Sequence, residues 1–181
     1  MTRLTIFGLD QPVRRLEDTE DPRLVERALT GIGIRYERWP AVTALPADAT
    51  SPLVLDAYRR EVERLKTECG YQVADVVRLS RGSEHVAALR AKFLAEHIHD
   101  EDEVRFFVEG RGAFYLRSDS GVHRVVCERG DLLGVPAGTR HWFDMGPEPE
   151  FTAIRLFTDP AGWVARFTGD PVAEQVPELD G

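Results

Sequence analysis

Eight residues, Glu96-His97-Ile98-His99-Asp100-Glu101-Asp102-Glu103, set two histidines and a group of carboxylates side by side, and an apolar run, Val104-Arg105-Phe106-Phe107, follows at once. A second stretch, Pro136-Ala137-Gly138-Thr139-Arg140-His141, brings in one more histidine. Imidazole nitrogens and carboxylate oxygens are the donors that divalent transition metals take, and three of the five histidines fall in these two motifs. Read as strands, whose side chains alternate faces, His97 and His99 share a side with Phe93 and Ala95. Glu103, Arg105 and Phe107 share another, and His141 and Phe143 point together, away from Trp142. If the two halves pair across a barrel, His97, His99, Glu103 and His141 converge on one point. Three imidazoles and one carboxylate leave two positions of an octahedron open, which suits Fe(II) or Ni(II). Asp100, Glu101 and Asp102 read as turn and supporting groups, although spacing alone leaves open which of the four acids is the ligand. His85 and His123 stand apart from both motifs and read as ordinary satisfied polar residues.

The elements that must position these groups fall into two parts. From Phe93 onward the pattern is β: candidate strands run over 93–99, 103–109, 112–118, 122–128, 131–135, 140–145 and 150–158, with Gly, Pro or acidic residues between them. Short strands at close spacing with turn signals predict a sandwich or barrel. Gly110-Arg111-Gly112 and the segment 118–121 both read as tight hairpins. Before Phe93 the chain is mixed. Residues 2–8 and Ile34 to Trp39 read as strands, 10–20 as polar loop, and Asp75 to Leu79 as a short apolar run. Asp21-Pro22 caps a predicted helix that stops at Gly31. Thr50-Ser51-Pro52 opens a second, whose stripe of Leu55, Tyr58, Val62 and Leu65 ends at Gly70 and whose charges, Arg59 to Arg64, form a solvated face. Residues 84–91 fit a further helical turn. The acidic, proline-bearing tail from Asp170 is expected to trail over the surface.

Composition narrows the function. At 181 residues the expectation is a single domain over 1–181, with the barrel core at about 90–160; a chain of this size buries about 70% of its unfolded surface. The hydrophobic share of 43% and charged share of 30% are those of an ordinary globular protein. A net charge of −8 argues against a nucleic-acid surface, which needs clustered Lys and Arg. Cys69 and Cys127 lack any CxxC pattern and read as isolated thiols. No signal-peptide core or membrane-length apolar run is visible, so the expectation is a cytoplasmic protein with no membrane partner.

At the histidine motifs the sequence resembles a known family. His97-Ile98-His99, Glu103 and Gly110 resemble the first motif of the cupin superfamily, and Gly130, Pro136-Ala137-Gly138 and His141 resemble the second. The chain departs from the generic pattern at Met145, where Asn is common. A closer resemblance is to the acireductone dioxygenase family. It is carried by Lys92-Phe93, Glu96-His97-Ile98-His99, Asp102-Glu103-Val104-Arg105-Phe106 and Pro136-Ala137-Gly138-Thr139-Arg140-His141-Trp142-Phe143-Asp144. The segments Ala57-Tyr58 to Gly70-Tyr71 and Asp75-Val76-Val77 extend it beyond the barrel. The resemblance implies a mainly β fold with flanking helices, a double-stranded β-helix barrel of cupin type. It assigns the metal ligands to His97, His99, Glu103 and His141.

The same resemblance implies a substrate and a reaction. An enediolone with a methylthio tail would be cleaved by O2, to a 2-keto acid and formate with Fe(II), or to methylthiopropionate, formate and carbon monoxide with Ni(II). One ion per chain, a monomer and a place in methionine salvage complete the expectation. Arg105 would stabilise the substrate anion in a dry pocket, where charges are less screened; its bland alternative is a structural pair with Glu101 or another local acid. Phe93, Phe143, Arg155 and Trp163 match positions lining the family's substrate pocket, the aromatics by apolar and sulfur–aromatic contact. A different cupin enzyme and a non-catalytic metal-binding cupin are the competing classes. An arginine beside the ligands and open coordination positions count against the second.

Overall fold

In the computed structural model, which describes residues 1–181 except 11, 12, 42, 44, 47, 85, 160–163 and 181, the longest element is β6 (Glu103–Ser118), one strand of 16 residues. The expected hairpin at Gly110-Arg111-Gly112 does not form. Instead, the first half of β6 pairs antiparallel with β8 (Asp131–Val135) and β10 (Phe151–Phe157). The second half pairs with β7 (Gly121–Glu128) and β9 (His141–Asp144). Between the halves Gly110 takes φ +70°, and the ladder to β10 shifts register between Glu109 and Phe107. Such a bulge twists and bends a strand without reversing it. It also switches which parity faces inward. Phe107 lies in the inner core before it, and Phe114 and Leu116 after it, while Val104, Phe106, Ala113 and Tyr115 face outward into other clusters.

Through β6 the strands form one network of two halves. One runs β11 (Arg166–Phe167), β5 (His97–Ile98), β9, β6, β7, β1 (Arg3–Gly8), β2 (Arg14–Thr19). The other runs β4 (Val73–Leu79), β10, β6, β8, β3 (Arg35–Arg38). Among the described residues the sheet does not close on itself. The inner faces share one core: Phe107, Leu133 and Ala153 from one half meet Phe114, Val125 and Phe143 from the other. The outer face of the second half is covered by α2 (Ser51–Ala57) and α3 (Arg59–Cys69), with Val54, Tyr58, Val62 and Leu65 against Phe106, Leu132 and Ile154. A mainly β architecture with flanking helices is therefore borne out.

The N-terminal helix α1 (Pro22–Gly31) is capped as expected, Asp21 accepting from the Arg23 amide at 2.8 Å. Four other expectations change. The polar stretch 10–20 contains an edge strand, β2, whose Asp18 accepts from Arg3 Nε at 2.7 Å and Arg15 at 3.1 Å. Tertiary pairing to β1 overrides its low β propensity, and the charge protects an open edge. The helix expected over 50–70 breaks at Tyr58 (φ −115°, ψ 20°), where the ring turns edge-on to Phe106 at 5.0 Å; Gly70 still ends it, in the left-handed region. The helix near 84–91 continues as α4 (Val86–Leu94), so Phe93 is helical and not the start of a strand. The tail does not trail free: Val172 and Val176 in and after the 3-10 turn Pro171–Gln175 pack with Leu179 on Tyr115 and Trp142. The predicted hairpin at 118–121 and the strand at 131–135 stand as expected. Both thiols are free.

Gly110 offers a direct check of the β6 crossing. A Cβ there would lie 1.9 Å from the Glu150 carbonyl oxygen, on a backbone that already disfavours side chains. Gly110→Ala is expected to destabilise the protein by about 2–4 kcal/mol, read by urea unfolding. Stability within about 0.5 kcal/mol of the parent would show that the β9–β10 turn yields freely.

Candidate metal centre

Neighbouring strands bring the distant motifs together. His97 on β5 stands opposite His141 on β9, His141 stands opposite Leu116 on β6, and Glu103 opens β6 opposite Val135. Cross-strand partners share a face, so residues about forty apart in sequence become neighbours. His97, His99, Glu103 and His141 are all buried and each offers a donor atom, all of them within 4.8 Å of one another. The four ligands expected from the sequence are thus brought together.

Hydrogen bonds decide how the rings face. His97 Nδ1 donates to the Ala95 carbonyl at 2.8 Å, His141 Nδ1 to the Thr139 carbonyl at 2.7 Å, and His99 Nδ1 to the Val164 carbonyl at 3.0 Å. A carbonyl can only accept, so each Nδ1 carries the proton and each neutral ring presents a bare Nε2 lone pair. The Nε2 atoms of His99 and His141 lie 3.2 Å from Glu103 Oε2. Lone pairs facing a carboxylate repel unless a cation or a proton lies between them. The donor set therefore fits a divalent ion, with carbonyl-oriented imidazoles as in well-built metal sites.

Electrostatics act differently on His97, His99 and Glu103. Burial drives the His97 imidazole down to about 4. Burial also works to lower His99, but the Glu103 carboxylate beside it wins and holds it above its ordinary value. For Glu103, burial favours the protonated form, yet the Arg105 guanidinium outweighs it, joined by the His141 and His99 rings when a proton sits on their Nε2, and the carboxyl is held well below its usual range. Arg105 Nη2 donates to Glu103 Oε1 at 2.8 Å, so its partner is the ligand carboxylate and not Glu101. The Glu101 carboxylate instead accepts the Asp159 amide at 3.1 Å.

The other expected site residues divide. Phe143 lies inside, with the Arg105 guanidinium 4.3 Å from its ring centroid. Phe93 projects from α4 and packs half-buried against the inner core. Arg155 stands opposite Arg105 on the ladder but is held by Asp75 through two bonds of 2.8 and 2.6 Å. Trp163, like His85, lies outside the described residues. His123 is buried in β7 with Nδ1 3.5 Å from the Ser118 hydroxyl, apart from the ligand group.

The supporting role read for Asp102 is found, while sequence reading missed the other braces. Asp102 accepts the Ala137 amide at 2.9 Å, and the His99 carbonyl accepts the Gly138 amide at 2.9 Å; together they tie the two motifs. Glu96 accepts from Arg117 at 3.0 Å and from the Thr168 hydroxyl at 2.6 Å. The Ala95 and Thr139 carbonyls sit two residues before their histidines, so a strand argument could have found them. Nothing local marks Val164.

An open cupin-type barrel enclosing three oriented imidazoles and one carboxylate defines a metal-binding protein of the cupin class. The sequence pattern of the ARD/ARD' family matches residues 5–165. An acireductone dioxygenase of Parvibaculum lavamentivorans is 54% identical over 99% of this chain and 98% of its own length, and one of Yersinia enterocolitica is 50% identical over 99% and 100%. A solved acireductone dioxygenase from Bacillus anthracis, with a cadmium ion in its active centre, superimposes with a TM-score of 0.80 at 30% identity, covering 92% of this chain and 98% of that one. The chain belongs to the ARD/ARD' family.

The proton bookkeeping is testable. A raised pKa means that His99 keeps its proton to higher pH, so as pH falls it competes with metal before His97 does. Titration calorimetry with Co(II) between pH 8 and pH 5 should show affinity falling with pH and protons released on binding. Affinity flat across that range would contradict this donor set.

Proposed function

We propose that the chain is an acireductone dioxygenase, cleaving an enediolone with a methylthio tail by O2 in methionine salvage. The observation that carries this reading is the ligand set itself, three fixed Nε2 donors and a carboxylate oxygen within 4.8 Å of one another, in a chain that matches acireductone dioxygenases over nearly its whole length. We assign His97, His99, Glu103 and His141 as the ligands of one Fe(II) or Ni(II) per chain. The ion, when bound, supplies a Lewis acid for the enediol oxygens and a route to O2 chemistry.

The protein's own groups do the rest. The three carbonyls on Nδ1 hold the rings in register, so the donors need little reorganisation. Arg105 is buried between Glu103 and the Phe114 and Phe143 rings, at 5.1 and 4.3 Å. It keeps Glu103 ionised and places a fixed positive charge beside the ligands, where an enediolate would be stabilised more strongly than in water. Phe93, Phe143 and Arg155 are assigned to the surrounding pocket wall. Among the described residues no helix is long and apolar enough to cross a membrane; the reading is of a cytoplasmic, monomeric, single-domain enzyme that takes its small-molecule substrate and O2.

Reconstitution under anaerobic conditions with Fe(II) or Ni(II), followed by oxygen and acireductone, tests the reading. The iron form should yield keto acid and formate, and the nickel form formate and carbon monoxide. No oxygen uptake by either form would overturn it. Arg105→Ala should keep the fold and, given the lost partner of Glu103, bind metal no more than about 10–100-fold more weakly. Its kcat should fall by about 100-fold or more; normal turnover would make Arg105 structural.

A further inference from the structure

Two of the four ligands hang on very little ladder. β5, which carries His97 and leads into His99, is two residues long and meets β9 at one position, His97 opposite His141. Its other neighbour, β11, is also two residues long and, among the described residues, pairs with β5 alone. Strand pairing by itself therefore fixes these donors weakly. One end of the segment is tied where the Gly138 amide donates to the His99 carbonyl at 2.9 Å. The other end depends on Glu96.

Glu96 immediately precedes β5 and is buried, 2% exposed. One carboxylate oxygen accepts from Arg117 Nη1 at 3.0 Å and the other from the Thr168 hydroxyl at 2.6 Å. Its carbonyl accepts the Thr168 amide at 3.0 Å. These bonds clamp the residue that shares a peptide bond with Ala95, and the Ala95 carbonyl is the acceptor, at 2.8 Å, that orients the His97 ring. Arg117 also reaches Asp170 at 2.7 Å, and its amide donates at 2.9 Å to the Arg140 carbonyl beside His141. Stability alone does not account for this carboxylate. Desolvating a buried charge costs about as much as its ion pair returns, and Arg117 would keep Asp170 without it.

We propose that Glu96 is a positioning residue for the metal centre, holding the Ala95–Glu96 peptide and, through the Ala95 carbonyl, the His97 Nε2 lone pair on the side where the other three donors converge. The inference rests on the ligand reading above and deepens it. A donor that is held in place needs no reorganisation when the ion arrives, and groups that orient a metal ligand without touching the metal typically set its affinity by about 10–100-fold.

The test follows Co(II) affinity by calorimetry, the visible spectrum of the Co(II) form, and urea unfolding of the metal-free protein. Glu96→Ala should weaken Co(II) binding about 10–100-fold and alter the spectrum. Thr168→Val, which removes one bond to the same carboxylate, should weaken binding about 3-fold. Glu96→Gln keeps an oxygen for Arg117 and an amide for the Thr168 hydroxyl, and should recover most of the affinity. Tyr36→Phe serves as the control: it removes a 2.9 Å bond to the fully buried Asp131, away from the ligands. It should lower stability and leave affinity and spectrum unaltered. Parent-like affinity and spectrum in Glu96→Ala, or in Thr168→Val where Glu96→Ala does not fold, would overturn the inference, as would an equal loss of affinity in Tyr36→Phe. Glu96→Gln binding as weakly as Glu96→Ala would overturn it too, by showing that charge and not placement is what Glu96 supplies. A parent that binds no Co(II) would instead overturn the ligand reading, and the inference with it.

Discussion

A carboxylate buried among imidazole lone pairs is the constraint on which the rest of this structure depends. Glu103 is held ionised although burial opposes it, because Arg105 donates to one oxygen, while the other faces two imidazole Nε2 atoms across a gap that a cation or a proton must bridge. A buried anion without such partners would neutralise or destabilise the fold. The cluster is therefore not a by-product of core packing. It is a charge pattern that a divalent cation completes, and each histidine is oriented for that by a backbone carbonyl and not by a chance side-chain contact.

Holding that cluster is mainly the task of β6, which carries Glu103 and Arg105 at one end and Phe114 and Leu116 further along. A strand that kept a single parity could not serve both halves of the sheet. The bulge around Gly110 flips the inward face, so Arg105 and Phe114 both point into the same interior and meet there at 5.1 Å. The close approach of Glu150 backbone to Gly110, and of the Phe143 ring to Gly112, makes the absence of side chains at these positions part of the site's geometry. The outer shell then seals the arrangement: α2 and α3 cover one face, and the C-terminal segment covers the other.

The charges near the centre show a second kind of order. Arg155 and Arg105 stand side by side on neighbouring strands, a pairing that is unfavourable by itself. Each is supplied with an acid, Asp75 across the ladder for Arg155 and Glu103, two residues earlier on the same strand, for Arg105. Asp75 lies in the part of the chain before the barrel strands, so the N-terminal half contributes to the electrostatic balance of the centre as well as to its packing.

Local sequence determined a good deal: the ligand types, their alternation along strands, the Asp21 cap, the Gly70 stop and the turn at 118–121. These depend on two-residue or four-residue periodicities and on the conformational freedom of single residues, which neighbours in sequence dictate. The family resemblance then singled out Glu103 among four adjacent acids. Tertiary structure decided what local pattern could not. Gly110-Arg111-Gly112 is compatible with either a reversal or a bulge, and only the Glu150 backbone lying against it selects the bulge. The polar segment 14–19 becomes a strand because β1 offers it a ladder, and the tail docks because Tyr115 and Trp142 present an apolar face. The carbonyl of Val164 reaches His99 from 65 positions away, and a backbone acceptor has no signature in the identity of its residue.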